Sequence, residues 1–263
     1  MDKEIKEMKK VLVLIVAVSF LLFAVSAFAT VANTKHNLTT GGGFTKTTDA
    51  TATLCGFCHI PHGGNTSVAG LPLWARSMPA GAYTLYGGGT TLAGTTIDQP
   101  GTYSKTCLSC HDGTIGLGTV TKNGVSKTYP MTTTLPGGLT AGGAFQATNI
   151  DPGNGYSPYI GTDLQNDHPV GFEFPVGGYG AGGGVPGISI TVTNSGAPGL
   201  SQLTGAGTGA AYPVFQYAAG ALQLDVFECA TCHDPHLENT GTTQTKFLRG
   251  ANATLCQDCH DTK

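Results

Sequence analysis

Regular alternation of apolar and polar positions is rare in this chain. The longest apolar run goes from Val11 to about Val25, preceded by Lys3, Lys6, Lys9 and Lys10 and followed by Ala27-Phe28-Ala29. A basic start, an apolar stretch and an A-x-A site predict a secretory signal peptide over residues 1–29. A transmembrane anchor is the competing reading, because Asp2, Glu4 and Glu7 dilute the basic end. The run is shorter than the ~20 residues a helical span needs, so cleavage near Thr30 with no membrane anchor afterwards is expected. Further on, Ile188, Ile190 and Val192 alternate with Ser189, Thr191 and Thr193. That period of two predicts a strand, stopped at Asn194-Ser195-Gly196. Ala218 to Phe227 predicts a short helix that delivers Cys229. The glycine runs at 41–43, 87–89 and 177–187 mark loops.

Composition changes this picture. The chain has 40 glycines and 14 prolines, and only 11% of its residues are charged. Glycine-rich backbone loses much entropy on ordering, and the apolar complement available to offset it is sparse. Something besides side chains must fill the interior.

The eight cysteines identify that filler. All fall in C-x-x-C-H runs: Cys55 and Cys58 with His59, Cys107 and Cys110 with His111, Cys229 and Cys232 with His233, Cys256 and Cys259 with His260. This is the attachment signature of c-type haem. Two thiols three positions apart reach the two vinyl groups on one porphyrin edge, and the next residue turns under the ring to ligate iron. Disulfides, zinc sites and redox dithiols also use cysteines, but none requires a histidine directly after the second one. Four covalent c-type haems are therefore expected. The fold class expected is mostly irregular coil with few short helices and strands, organised around those haems, which glycines let the backbone approach closely.

Four of the eight histidines remain: His36, His62, His168 and His236. Four irons that each need a sixth ligand face four spare histidines, so bis-histidine iron throughout is expected, with Met78 and Met131 as unneeded alternatives. His62 and His236 each lie three residues after a motif histidine, in His59-Ile60-Pro61-His62 and His233-Asp234-Pro235-His236. The ring above its own motif blocks so short a chain, so each must serve a neighbouring haem, and neighbouring haems are pinned close together. The order spare His, C-x-x-C-H-x-P-H, plain C-x-x-C-H occurs twice and reads as an internal duplication. This divides a cytochrome domain at 30–263 into two dihaem modules, about 30–125 and 160–263, joined by a Gly/Thr-rich segment. Taken in order, His36 serves the first haem, His62 the second, His168 the third and His236 the fourth; exchanging His36 and His168, or supplying one of them from another subunit, fits the sequence equally well.

Charge adds a little. Removing residues 1–29 takes four lysines and three acidic residues from totals of 13 and 16, leaving a net charge of −4. Haem propionates make the holoprotein more anionic. No basic cluster points to nucleic acid; a cationic redox partner protein or a mineral acceptor suits the sign.

The segments Asn33-Thr34-Lys35-His36-Asn37-Leu38, C-G-F-C-H-I-P-H-G, C-L-S-C-H-D-G, Asp167-His168-Pro169-Val170-Gly171-Phe172 and C-A-T-C-H-D-P-H resemble extracellular multihaem cytochromes of metal-reducing microbes. In haem number and order the chain resembles the OmcE-type tetrahaem cytochromes that polymerise into filaments, the cytochrome nanowires. The resemblance implies a coil-rich, secreted subunit in a homopolymer, with haems stacked continuously and one axial histidine supplied by the adjacent subunit. His36 is then the first candidate for that joint and His168 the second. A soluble periplasmic tetrahaem carrier is the alternative. An enzyme is not expected, since the spare ligands match the irons one for one.

Overall fold

The computed structural model describes residues 30–65, 73–86, 99–153, 155–174, 190–194, 200–205, 211–219, 222–237, 247–250 and 254–260. The signal segment 1–29, the glycine runs 87–89 and 177–187, and Ile188 lie outside them. Among the described residues no helix is long and apolar enough to cross a membrane.

Among the described residues, three antiparallel sheets organise the chain. β1 (Thr45–Thr47) pairs with β4 (Met131–Thr133), and β2 (Thr119–Lys122) pairs with β3 (Val125–Thr128). The β2–β3 hairpin turns on Asn123-Gly124, both with positive φ (49° and 74°), the backbone that a two-residue turn between twisted strands requires. The third sheet has the order β5-β9-β8-β7-β6, from β5 (Phe172–Phe174), β6 (Ile190–Asn194), β7 (Leu200–Gly205), β8 (Ala211–Ala219) and β9 (Leu222–Phe227). β6 ends at Asn194, where the alternation predicted a stop. Pro213 is tolerated in β8 because it faces Gln202 of β7, whereas the pairing of β8 with β9 starts at Phe215.

The helix expected over Ala218–Phe227 is not formed: Ala218 and Ala219 end β8 and Leu222–Phe227 is β9, with Ala219 paired to Leu222. Leu222-Gln223-Leu224-Asp225-Val226 alternates with period two, and Gly220 interrupts a helical reading. Helices are short. α1 (Thr102–His111), α2 (Cys229–Cys232) and α3 (Leu255–Cys259) each carry one cysteine motif.

The large sheet links three of the four motifs. Val192, Leu203 and Tyr212 face one another across β6, β7 and β8 and, with Val214, Phe172 and Phe227, form an apolar cluster against Cys232, Leu255 and Cys259. Phe215 instead packs against Tyr103 of α1, with ring centres 4.0 Å apart and the planes tilted by 31°. Elsewhere the apolar residues form small separate clusters: Phe57, Ala75 and Val120 beside Cys58, and Leu117, Leu135 and Phe145 beside Cys110. Met131 packs into both of these. Leu135 and Phe145, with the pairing of β4 to β1, draw the segment after residue 125 onto the first half of the chain. Residues Val31–Lys263 make one compact unit.

Candidate functional site

Every motif adopts one tight helical turn. In the first, Leu54–Phe57 forms a 3-10 turn and the His59 N–H donates to the Cys55 carbonyl at 2.7 Å. His233 donates likewise to Cys229 at 3.0 Å and His260 to Cys256 at 2.8 Å. In the second motif the same turn ends α1. Residues three apart on such a turn share a face, so each thiol pair projects to one side with its histidine at the end.

The first and third motifs share a larger frame. The Ile60 N–H donates to Leu73 O and Ala75 N–H to Cys58 O; correspondingly, Asp234 N–H donates to Phe247 O and Arg249 N–H to Cys232 O. His59 bridges Trp74 as His233 bridges Leu248. Leu73 and Phe247, at equivalent places, both hold positive φ, 55° and 62°. Such strain in a bulky residue persists only where its surroundings impose it, and here it recurs at both copies.

The histidine rings come together in pairs. Ring centres lie 6.2 Å apart for His36 and His111, 6.1 Å for His59 and His236, and 6.5 Å for His168 and His260. A metal–imidazole bond of about 2 Å on each side, plus roughly 1 Å from nitrogen to ring centre, separates two trans imidazoles by about 6 Å. The spacings fit one iron between each pair. They do not follow the assignment by chain order: His36 faces the second motif rather than the first, His236 the first rather than the fourth, and His168 the fourth rather than the third. Pairing depends on which segments the fold brings together: His36 and His168 face motifs of their own halves, and His236 crosses to the motif of the other. His62 is exposed, and among the described residues no histidine ring stands opposite it.

Second ring nitrogens are held where an iron ligand needs them. His111 Nδ1 lies 2.6 Å from Pro158 O and His168 Nδ1 2.9 Å from Pro169 O. A carbonyl only accepts, so Nδ1 carries the proton and Nε2 is left for a metal. His236 Nδ1 is 3.3 Å from the Asp234 carboxylate. Burial, and then His111, lowers the His36 pKa to about 4; burial also lowers that of His111. Both rings are neutral near pH 7, the form that binds metal. Phe247 stacks on His36 at 4.2 Å and Trp74 meets His59 edge-on at 5.9 Å.

The thiols form a sequence in space. Burial, and next the Cys110 thiol, pushes Cys58 up to about 12. Cys107 is held well above its ordinary range, first by its hydrogen bond to Cys229. Burial, followed by Cys259 and Cys256, pushes Cys232 up to about 12. Motif one thus neighbours two, two neighbours three, and three neighbours four. A buried carboxylate ties the middle pair: Glu228 accepts from the Ser104 backbone N–H and hydroxyl, and that hydroxyl accepts from Cys229 N–H at 2.9 Å. Tyr83 donates to Asp112 at 2.7 Å behind the second motif, and Tyr212 donates to Asp258 in the fourth. Sequence reading missed these second partners. A buried acid beside a motif leaves no spacing signature.

Paired thiols on repeated helical turns, each ending in histidine, are the signature of covalent c-type haem attachment and point to a multihaem c-type cytochrome. Residues 224–263, covering the third and fourth motifs, match the family described as the doubled CXXCH motif. No curated protein matches the chain.

Proposed function

We propose that the protein is a tetrahaem cytochrome with bis-histidine irons, exported and assembled outside the cell into an OmcE-type filament along which electrons pass. The observation that carries the haem reading is the set of three facing histidine pairs at 6.1–6.5 Å, each joining a motif histidine to a spare one. Each haem iron, when bound, takes one electron and passes it on. Cys55 and Cys58, Cys107 and Cys110, Cys229 and Cys232, and Cys256 and Cys259 hold the four rings. The neighbouring thiols support a close succession of haems, which electron hopping requires. Carriage rather than catalysis is the reading, because the four spare histidines match the four motifs one for one.

His36 and His168, the expected joints, both have facing rings within the chain. His62 is exposed and, among the described residues, no histidine ring faces it, which makes it the candidate for a ligand given to an adjacent subunit. Polymerisation is then a coordination event. Cryo-electron microscopy of the purified holoprotein and of sheared cell-surface material tests this. Filaments from the wild type and discrete subunits from His62→Ala are expected; filaments from both would remove His62 as the joint. The engagement of His36 and His168 inside one chain also favours a second reading, a self-contained periplasmic carrier. Wild-type protein that stays monomeric at every concentration would select it.

A further inference from the structure

Arg76 is fully buried. Its guanidinium donates to four backbone carbonyls: Leu117 at 2.7 Å, Gly116 at 2.8 Å, and Thr119 and Ser109 at 3.0 Å. Ser109 lies inside the second motif. The neighbouring Ala75 N–H donates to Cys58 O of the first motif at 2.8 Å. Arg76 thus straddles the first two motifs, and its charge is felt at both Cys58 and His111. Nε has no hydrogen-bond partner, and among the described residues no carboxylate pairs with the group. A guanidinium does not lose its proton, so the charge is fixed and buried.

The duplicated frame shows what this charge does to symmetry. Aligning His59 with His233 and Leu73 with Phe247 places Gly250 where Arg76 stands. A Cβ on Gly250 would come within 2.4 Å of the Tyr212 hydroxyl, so the second copy has no room for any side chain there. The second copy has a cation one position earlier, Arg249, whose Nε donates to Ala230 O of the third motif at 3.0 Å. It is partly exposed and paired with Asp234 at 3.0 Å, so its charge is offset where that of Arg76 is not.

We infer that Arg76 sets a step in reduction potential along the haem chain, holding the first and second haems above the third and fourth. This rests on haem attachment at those motifs. Reduction adds one electron to an iron, and a nearby buried cation stabilises the reduced state in a low-dielectric surrounding. Net charge is among the factors that set the potential of a protein-bound iron centre. Electrons from a neighbouring haem therefore rest preferentially in the Arg76 half of each subunit. Arg76 acts on the irons through this field and is a positioning charge.

The test uses holoprotein of the wild type, Arg76→Gln and Arg76→Lys. Bound haem is counted first, and each sample is then titrated in a spectroelectrochemical cell. The glutamine variant should move two of four one-electron steps to more negative potential, and lysine should leave them near their wild-type positions. Potentials unmoved in both variants, with only a lower unfolding midpoint, would make Arg76 a tie between carbonyls and overturn the inference. Equal shifts in both would overturn it too, because charge would not be the cause. If Arg76→Gln fails to load haem, wild-type reduction followed by NMR of assigned haems decides. First reduction in the first or second motif supports the step, and first reduction in the third or fourth overturns it. A wild-type haem count other than four overturns the tetrahaem reading beneath it.

Discussion

Replacing Ser104 by alanine tests the tie between the second and third motifs. Ser104 and Glu228 are both fully buried. The Ser104 hydroxyl donates to Glu228 Oε2 and accepts from the Cys229 backbone N–H at 2.9 Å. The variant deletes one hydrogen bond to a buried carboxylate, about 1.5–3 kcal/mol, and strands one buried N–H, about 1–3 kcal/mol. Glu228 keeps the Ser104 N–H at 3.2 Å and its cap on α2, so the charge is not orphaned. A net loss of about 3 kcal/mol is expected, and the extra methyl-sized space is too small to add much. Guanidinium unfolding of the holoprotein reads it out through Trp74, the single tryptophan, whose emission bound haem quenches in the folded state. The midpoint should fall with little change in slope. Glu228→Gln, which keeps an acceptor but no charge, should lose less. A loss below about 0.5 kcal/mol for Ser104→Ala, in the range of ordinary surface substitutions, would refute a hydrogen-bonded buried carboxylate at this joint.

Two further outcomes follow from the same geometry. Gly250→Ala drives a Cβ to 2.4 Å from the Tyr212 hydroxyl and 3.1 Å from Leu255 Cδ1; overpacking of this kind costs about 1–3 kcal/mol and should show as a lower unfolding midpoint. For pH, the folded His36 pKa of about 4 lies below its ordinary 6.5. The unfolded chain binds the extra proton between those values, so stability rises with pH across that window and falls on acidification, by up to about 3 kcal/mol at pH 4. Iron ligation acts in the same direction. Unfolding midpoints measured from pH 4 to 7 should slope upward, and His36→Phe should flatten the slope.

The attachment residues were legible because their chemistry needs a fixed local spacing that the chain repeats four times. Pairing was not, because it depends on contacts between distant segments: His36 meets His111 and stacks on Phe247, and no neighbouring residue announces either. The strand at Ile190 was readable from period two. The hairpin at Asn123-Gly124 carried its own turn signal and was passed over. The rest of the large sheet was missed because β7, Leu-Ser-Gln-Leu-Thr-Gly, does not alternate with period two. Pro213 breaks the reading of β8 despite its apolar Tyr212, Val214 and Phe215, so the pairing of both rests on backbone and long-range packing. Ala218–Phe227 was misread because helix and strand compete closely over short apolar stretches, and β8 supplied the deciding partner.

A chain this rich in glycine holds defined geometry by crossing its own duplication. Within each half, the apolar clusters are too small to fix a histidine to a fraction of an ångström. The fixing comes from exchange: the first half's His36 is stacked by the second half's Phe247, the second half's His236 faces the first half's His59, and Ser104 of α1 reaches Glu228 before α2. Each contact spans the two copies, so neither half can shift without disturbing a histidine pair in the other. Cofactor attachment and tertiary order are thereby coupled, as in small domains that fold around a metal. Loss of haem from one half should loosen the ligand of the other, and the two halves should unfold together.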